Sequence, residues 1–335
     1  MRIDDRQDID DLIYGFDDKH PFVVSLHTDR VGNAYLWHRD PSSDIVSIKQ
    51  ARFRFWAVVA DKDLAGGLES TQLGGDLPLA YLVGHRSFST LKKILIRQYN
   101  QKNHAQVEHI SELAKRDAAY FILNPVEQFL LKSGLTYFGG LEWTQVHRLC
   151  FDLETTGLDP NSDQILMIAG GDNRGYEFVL EGDSEAELVE EFVGIIQDKD
   201  PDVIEGYNLF EFDLDFLHQR ARRHGIRLNI GREINGTRGQ LEKLPYQKSI
   251  KIGAETRSIP NFTLVGREII DVLHAVQRWN ATSRKLENHR LKDSAIHFGL
   301  AEPNREYIDQ QQQPLAEVYK VDPQRVRSYA LADVR

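Results

Sequence analysis

The chain has 335 residues, 41% of them hydrophobic, with a single cysteine and a formal net charge of −10. That length and apolar content suit two or three domains with cores of their own, and the lone Cys150 excludes an internal disulfide, so folding needs no oxidising compartment. The opening MRIDDRQDID is too acidic for a signal peptide and no apolar run approaches the ~18 residues of a membrane span, so the expected location is cytoplasmic.

In chain order, PFVVSLHT, NAYLWHRD, ARFRFWAVVA and LAYLVGH alternate like strands between Asp/Gly/Ser-rich turns. A helix from Ser89 to about Gln101, a strand AAYFIL and a helix in NPVEQFLLKSGL follow; Pro125 near the start of that helix and Gly134 just past its end fit the usual asymmetry. These elements predict a smaller mixed, β-rich N-terminal domain over residues 1–147, with TYFGGLEW as the connector. From residue 148 the order is HRLCFDLET, QILMIAGG and YEFVLEG as an antiparallel meander, a helix opened by a Ser184/Glu187 capping box, the strand DVIEGYN, and a helix in LFEFDLDFLHQRARRHG ending at Gly225. This β-β-β-α-β-α order predicts an α/β domain over 148–335, a ribonuclease-H-like mixed sheet flanked by helices. A basic insertion at about 226–263 interrupts it, read as a hairpin from the LNIGREI and SIKIGAE runs. A strand REIIDVLHAV, helices around LKDSAIHFGL and DPQRVRSYALADVR, and a polar loop at 310–314 complete the chain.

Charge is distributed unevenly. Residues 151–213 hold 18 Asp/Glu against 2 Lys/Arg, while residues 214–285 hold 14 Lys/Arg against 6 Asp/Glu. One reading is a cation-collecting site beside a surface that tracks phosphates; the other is two solvated faces.

In FDLETTG, Asp152 and Glu154 are two apart on a strand and therefore share one face with Cys150. Two adjacent anions either force a carboxyl to protonate or demand a cation, and divalent Mg²⁺ or Mn²⁺ with oxygen ligands fits best. Alone, such a pair is more often solvated surface. Asp213 falls on the first turn of a helix after a strand end, where helix-dipole stabilisation alone would account for it. Tyr329 and Asp333 are i and i+4 on one helical face, a spacing that a core tyrosine beside a surface acid would also satisfy.

Taken together and in this order, FDLETTG, YNLFEFD and YALAD resemble the three 3′-to-5′ exonuclease motifs of the family-B DNA polymerases. NPVEQFLLKSGLTYFGGL resembles the segment leading into that family's exonuclease domain, and GREIIDVLH with LKDSAIHFGL its stretch between second and third motifs; the layout is similar to archaeal replicative enzymes and bacterial DNA polymerase II. The resemblance implies that Asp152, Glu154, Asp213 and Asp333 ligate two divalent cations and that Tyr329 orients the attacking water. It also implies substrate contacts from Thr155, Thr156, Leu158, Asn208 and Phe212, each of which has a turn or core role as its alternative, core being favoured for Phe212. Lys243, Lys248, Lys251 and Arg257 of the insertion become candidate phosphate contacts, and Asp271 and Asp293, outside all three motifs, are expected not to be ligands.

The implied function is the two-metal-ion proofreading portion of a DNA polymerase, an exodeoxyribonuclease releasing nucleoside 5′-monophosphates from single-stranded or frayed primer 3′ ends in the nucleoid. Its partners would be the polymerase palm, fingers and thumb; with no second motif set after Asp333, the chain reads as truncated before the palm. The competing readings are a catalytically silent nucleic-acid-binding or scaffolding module, which should have lost an acid, and a stand-alone DNA or RNA exonuclease.

Overall fold

The computed structural model describes residues 21–302, 308 and 314–335; the acidic start and most of the polar loop at 310–314 lie outside them. It divides into two compact units, Met1–Leu141 and Glu142–Arg335. No helix among the described residues is long and apolar enough to cross a membrane.

In the first unit, β1 (Val23–Thr28), β2 (Asn33–Arg39) and β3 (Val46–Arg52) form an antiparallel sheet. A second sheet has the order β5 (Glu69–Gln72), β6 (Tyr81–His85), β4 (Phe55–Val59), β7 (Tyr120–Phe121). The run ARFRFWAVVA is therefore two strands in two sheets. Phe53 donates its N–H to the carbonyl of Gly32, which carries the chain from one sheet to the other. Helices α1 (Phe88–Asn103), α2 (Ile110–Arg116) and α3 (Pro125–Ser133) complete the unit, α3 with a full Asn124/Glu127 capping box and Gly134 left-handed at its end.

The second unit is built on a five-stranded mixed sheet: β8 (Arg148–Thr155), β9 (Ile165–Asp172), β10 (Glu177–Glu181), β11 (Val203–Gly206) and, after the insertion, β14 (Glu268–Asp271). The spatial order is β10-β9-β8-β11-β14, the first three antiparallel and the last two parallel to β8. With helices on both faces this is the ribonuclease-H-like architecture expected. One face buries Leu149, Phe151 and Leu153 against α4 (Glu185–Lys199) and α5 (Asp213–Arg223), through Phe192, Ile196, Leu214 and Leu217. The Phe151 and Phe192 rings sit 4.8 Å apart, and truncating either to Ala costs about 3–5 kcal/mol. The other face buries Met167 and Ala169 beneath α8 (Leu315–Val321) and α9 (Pro323–Val334). Asp152 pairs with Ala169 and Glu154 with Met167 across the ladder. Both acids therefore share the side that α8 and α9 cover.

Three local expectations are corrected. The strand expected over REIIDVLHAV stops at Asp271 and becomes helix α6 (Val272–Ser283), because the Asp271 carboxylate accepts from Leu273 N–H and caps it. The helix expected from Leu209 begins at Asp213, since residues 208–212 form a bend with Asn208 at φ +67°. The insertion holds two hairpins. Glu233–Ile234 pairs with Thr237–Arg238 through Asn235–Gly236, both at positive φ, and β12 (Lys248–Ile252) pairs with β13 (Glu255–Ile259). A further helix, α7 (Leu291–His297), precedes the undescribed residues.

Much of the charge asymmetry is internal pairing. Arg220 binds Glu185, Arg232 binds Asp200 and Asp202, Arg267 binds Asp200, and Lys243 binds Asp215. The basic block thus neutralises part of the acidic one, and Lys243 is committed to an acid within the unit. Lys248 and Lys251 are exposed on β12, and Arg257 pairs with Glu255.

Candidate metal centre

At the end of β8 the ladder slips. Glu154 faces Met167 but Thr155 faces Ile165, leaving Leu166 as the extra residue of a bulge. Bulges beside functional sites re-aim side chains, and here the slip follows directly on Glu154. Helix α9 brings Asp333 over the same strand, so that Asp152, Glu154 and Asp333 each offer a carboxylate oxygen within 4.8 Å of one another. Glu154 is buried at 3% exposure, and its Oε1 has no hydrogen-bond partner among the described residues. Asp213, at 2% exposure, stands beside this group and outside its 4.8 Å set, one oxygen accepting the N–H of Leu153 at 3.1 Å.

The electrostatics follow from the crowding. Burial, then Asp333, pushes the Asp152 carboxyl up to about 7, with Lys292 opposing. Burial and the neighbouring acids raise Glu154 well above the usual carboxylate range, and burial and Asp152 do the same for Asp213. Burial, then Glu205 and Asp152, raises the Cys150 thiol, which keeps it protonated and inert. A donor set of clustered carboxylates with an unsatisfied buried oxygen fits hard divalent cations with oxygen ligands.

Tyr329, one turn before Asp333 on α9, donates its hydroxyl to Asp333 and accepts from Lys292 Nζ at 2.8 Å, the ammonium lying 4.3 Å from the ring centroid. Lys292 is a site residue that the motifs do not mark. Its one sequence signal is its place in the first turn of α7, where the helix dipole disfavours a cation unless something anionic faces it.

Asp271 is held away from the acids' work. Its Oδ1 accepts from Asn208 and Leu273 N–H, and its Oδ2 from Phe210 N–H, so one buried carboxylate fixes the bend that delivers Asp213. Exposed Asp293 falls in the first turn of α7.

The five expected substrate contacts divide by environment. Thr155 donates its hydroxyl to Gly157 O. Thr156 spends its N–H on Gln164 O and its hydroxyl on Asp163 and Gln164 N–H, all within the β8–β9 loop. Asp163 lies so close to Gly157 that an added Cβ there would meet its Oδ2 at 2.5 Å. Arg220 ties the loop to α5 through Pro160 O. Leu158 stands 79% exposed at the loop tip, whereas Phe212 is half-buried against the core with its ring 5.6 Å from Phe216. Asn208 lies in the bend, its N–H on Asp271.

Residues 171–293 match the family model for the exonuclease domain of DNA polymerase family B. Over those residues the chain matches a family-B DNA polymerase exonuclease region. That span includes Asp213 and Lys292, while the first-motif acids precede it and Tyr329 and Asp333 follow it. A DNA polymerase of Pyrococcus glycovorans is 30% identical over 165 residues, covering 45% of this chain and 19% of the relative. One of Archaeoglobus fulgidus is 37% identical over 97 residues, covering 28% and 12% respectively. The chain thus spans a fifth or less of the length of these polymerases. The structure of the family B DNA polymerase from Pyrobaculum calidifontis shares the fold, with a TM-score of 0.60 at 18% identity over 92% of this chain and 43% of that one.

Proposed function

We propose that the exonuclease region hydrolyses the 3′-terminal phosphodiester of DNA, single-stranded or frayed at a primer end, and releases nucleoside 5′-monophosphates. The observation that carries this reading is the group of three acids offering oxygens within 4.8 Å of one another, with one buried oxygen, that of Glu154, unpartnered among the described residues. Asp152, Glu154, Asp213 and Asp333 are the residues assigned to hold two divalent cations, Mg²⁺ or Mn²⁺. When bound, such a pair supplies positive charge to both the attacking and departing oxygens of an in-line displacement.

The chain's own groups do the rest. The Tyr329 hydroxyl, steadied by Lys292 and Asp333, is assigned to hold the attacking water, its rigid ring limiting the water's orientations. A water oxygen forms the new bond to phosphorus, the bond from phosphorus to the 3′ oxygen breaks, and no protein nucleophile is consumed. Leu158, exposed at its loop tip, is the apolar contact assigned to the terminal nucleotide, with Thr155, Thr156, Asn208 and Phe212 shaping the surrounding loops. Exposed Lys248 and Lys251 are assigned to phosphates of the strand. In the cell the region would work in the cytoplasmic nucleoid, proofreading for the palm, fingers and thumb of a polymerase.

The test is a 5′-labelled single strand incubated with the protein and Mg²⁺ or Mn²⁺. A ladder shortening from the 3′ end is expected. Absence of shortening with both ions, in a folded sample that binds the strand, would identify a silent binding module instead, and equal turnover of RNA would remove the DNA assignment.

A further inference from the structure

Helix α7 has two ends with different surroundings. At its start Lys292 reaches Tyr329; at its close His297 and Phe298 meet Trp279 of α6 in a mutually packed aromatic trio. Phe298 lies 4.9 Å from Trp279, edge-on, and both remain partly open, at 41% and 36% exposure. At 1.5 Å per residue the trio is about 9 Å along the helix from Lys292. Exposed Arg278, Arg284, Lys285 and Arg290 lie in the same stretch of chain as the trio, against two exposed acids, Glu287 and Asp293.

The basic connector between α6 and α7 is held in place. Asn280 accepts from Leu286 N–H and bonds Leu286 O and His289 Nε2, while Tyr207 Oη donates to His289 O at 2.7 Å and meets Ser294 Oγ at 3.0 Å. Partly open aromatic faces joined by an anchored connector with an excess of exposed cations match the needs of a flexible polyanion with stackable bases. An apolar protein side chain would use the rings and leave the cations idle.

We propose that Trp279, His297 and Phe298, with Arg284, Lys285 and Arg290, form a stacking ledge for single-stranded nucleic acid, binding the bases that follow the terminal nucleotide into the strand. The proposal rests on the exonuclease reading for its polarity, though binding at the ledge needs no cleavage.

Fluorescence anisotropy with a labelled oligo(dT) of about twelve nucleotides, in chelator so that nothing is cut, tests it. Trp279→Ala or Phe298→Ala should weaken binding about tenfold, and Trp279→Phe should recover most of it. The triple change Arg284→Ala, Lys285→Ala, Arg290→Ala lies wholly on the surface and should flatten the salt dependence by about 0.7 in slope for each phosphate no longer bound. Binding and salt slope at wild-type values in the triple variant and in folded Trp279→Ala would overturn the ledge, whatever the wild-type exonuclease does. Weakened binding in a protein that cuts nothing would leave the ledge standing and sink the exonuclease reading alone.

Discussion

Glu154 and Glu185 are both buried glutamates of the exonuclease region, and their surroundings differ in every respect that sets a carboxylate's charge. Glu185 accepts from Ile165 N–H, from Arg220 through two bonds and from His224, so that, although burial pulls it up, these donors hold it below the usual range. Glu154 has one oxygen without a donor among the described residues and two further acids beside it, and burial and those charges raise it. A fold that can place a guanidinium on one buried acid could place one on another. Among the described residues the Glu154 Oε1 is left without a donor, next to Asp152 and Asp333, a deficit of positive charge that a bound cation would fill.

The largest break in that comparison is catalytic. Asp152→Ala, Glu154→Ala or Asp213→Ala should lower the single-turnover rate of 3′ shortening by about a thousandfold or more, since each removes a donor from a set that works as a unit. Tyr329→Phe should cost less, about 10- to 100-fold, because only the aim of the water is lost. A Tyr329→Phe rate as low as that of Asp152→Ala would overturn this division of roles.

Next in size is stability. Glu185→Gln strands the buried Arg220 and should cost about 3–5 kcal/mol in urea unfolding, with the β8–β9 loop loosened as Arg220 lets go of Pro160. Glu154→Gln, measured in chelator, should be neutral or stabilising, because it removes the cost of ionising a buried carboxyl crowded by other acids. Equal losses from the two changes would mean that Glu154 has a partner.

How much of this is legible in the sequence depends on the range of the interaction. The β-β-β-α-β-α order and the same-face pair Asp152/Glu154 follow from periods of 2 and 3.6, and the order carries the sheet type with it. Lys292 and Asp271 act across elements far apart in sequence, on Tyr329 and on the bend at 208–210, and no local pattern marks such a contact. The charge blocks are visible as numbers and misleading as surfaces, because Arg220, Arg232 and Arg267 turn inward onto acids of the preceding block. Where REIIDVLHAV changes from strand to helix, apolar content suits either, and the capping by Asp271 decides.

Asp271 gives a third, smaller effect. Its two oxygens serve three N–H groups, and an asparagine offers one acceptor oxygen and a donor in place of the other. Asp271→Asn should therefore leave one buried N–H unpaired, costing about 1–3 kcal/mol. Because the bend leads into Asp213, the exonuclease rate should fall about tenfold while the strand still binds as in wild type. Loss of binding together with rate would instead indicate general unfolding of the unit.

The two glutamate clusters also predict opposite responses to pH, and this is the finest test of the comparison. Asp152 is raised in the folded state to about 7, so its stabilising contribution to the cation-free protein is complete below the unfolded value near 4 and is lost as pH rises through about 7. Glu185 is lowered, so its contribution is present above the unfolded value and is lost as pH falls through the folded one. The full shift at Asp152 corresponds to about 4 kcal/mol at 1.36 kcal/mol per unit, but the carboxyl keeps some exposure and shares protons with its neighbours, so about 1–2 kcal/mol is expected. In chelator, the unfolding free energy from urea titration should fall by about that amount between about pH 4 and 7.5, and Asp152→Asn should flatten the fall. With saturating Mn²⁺ the same window should show the reverse slope, because ionised carboxylates are what the cation binds. A cation-free protein whose stability held level across that window would show that the acids of the candidate centre are already balanced by the fold.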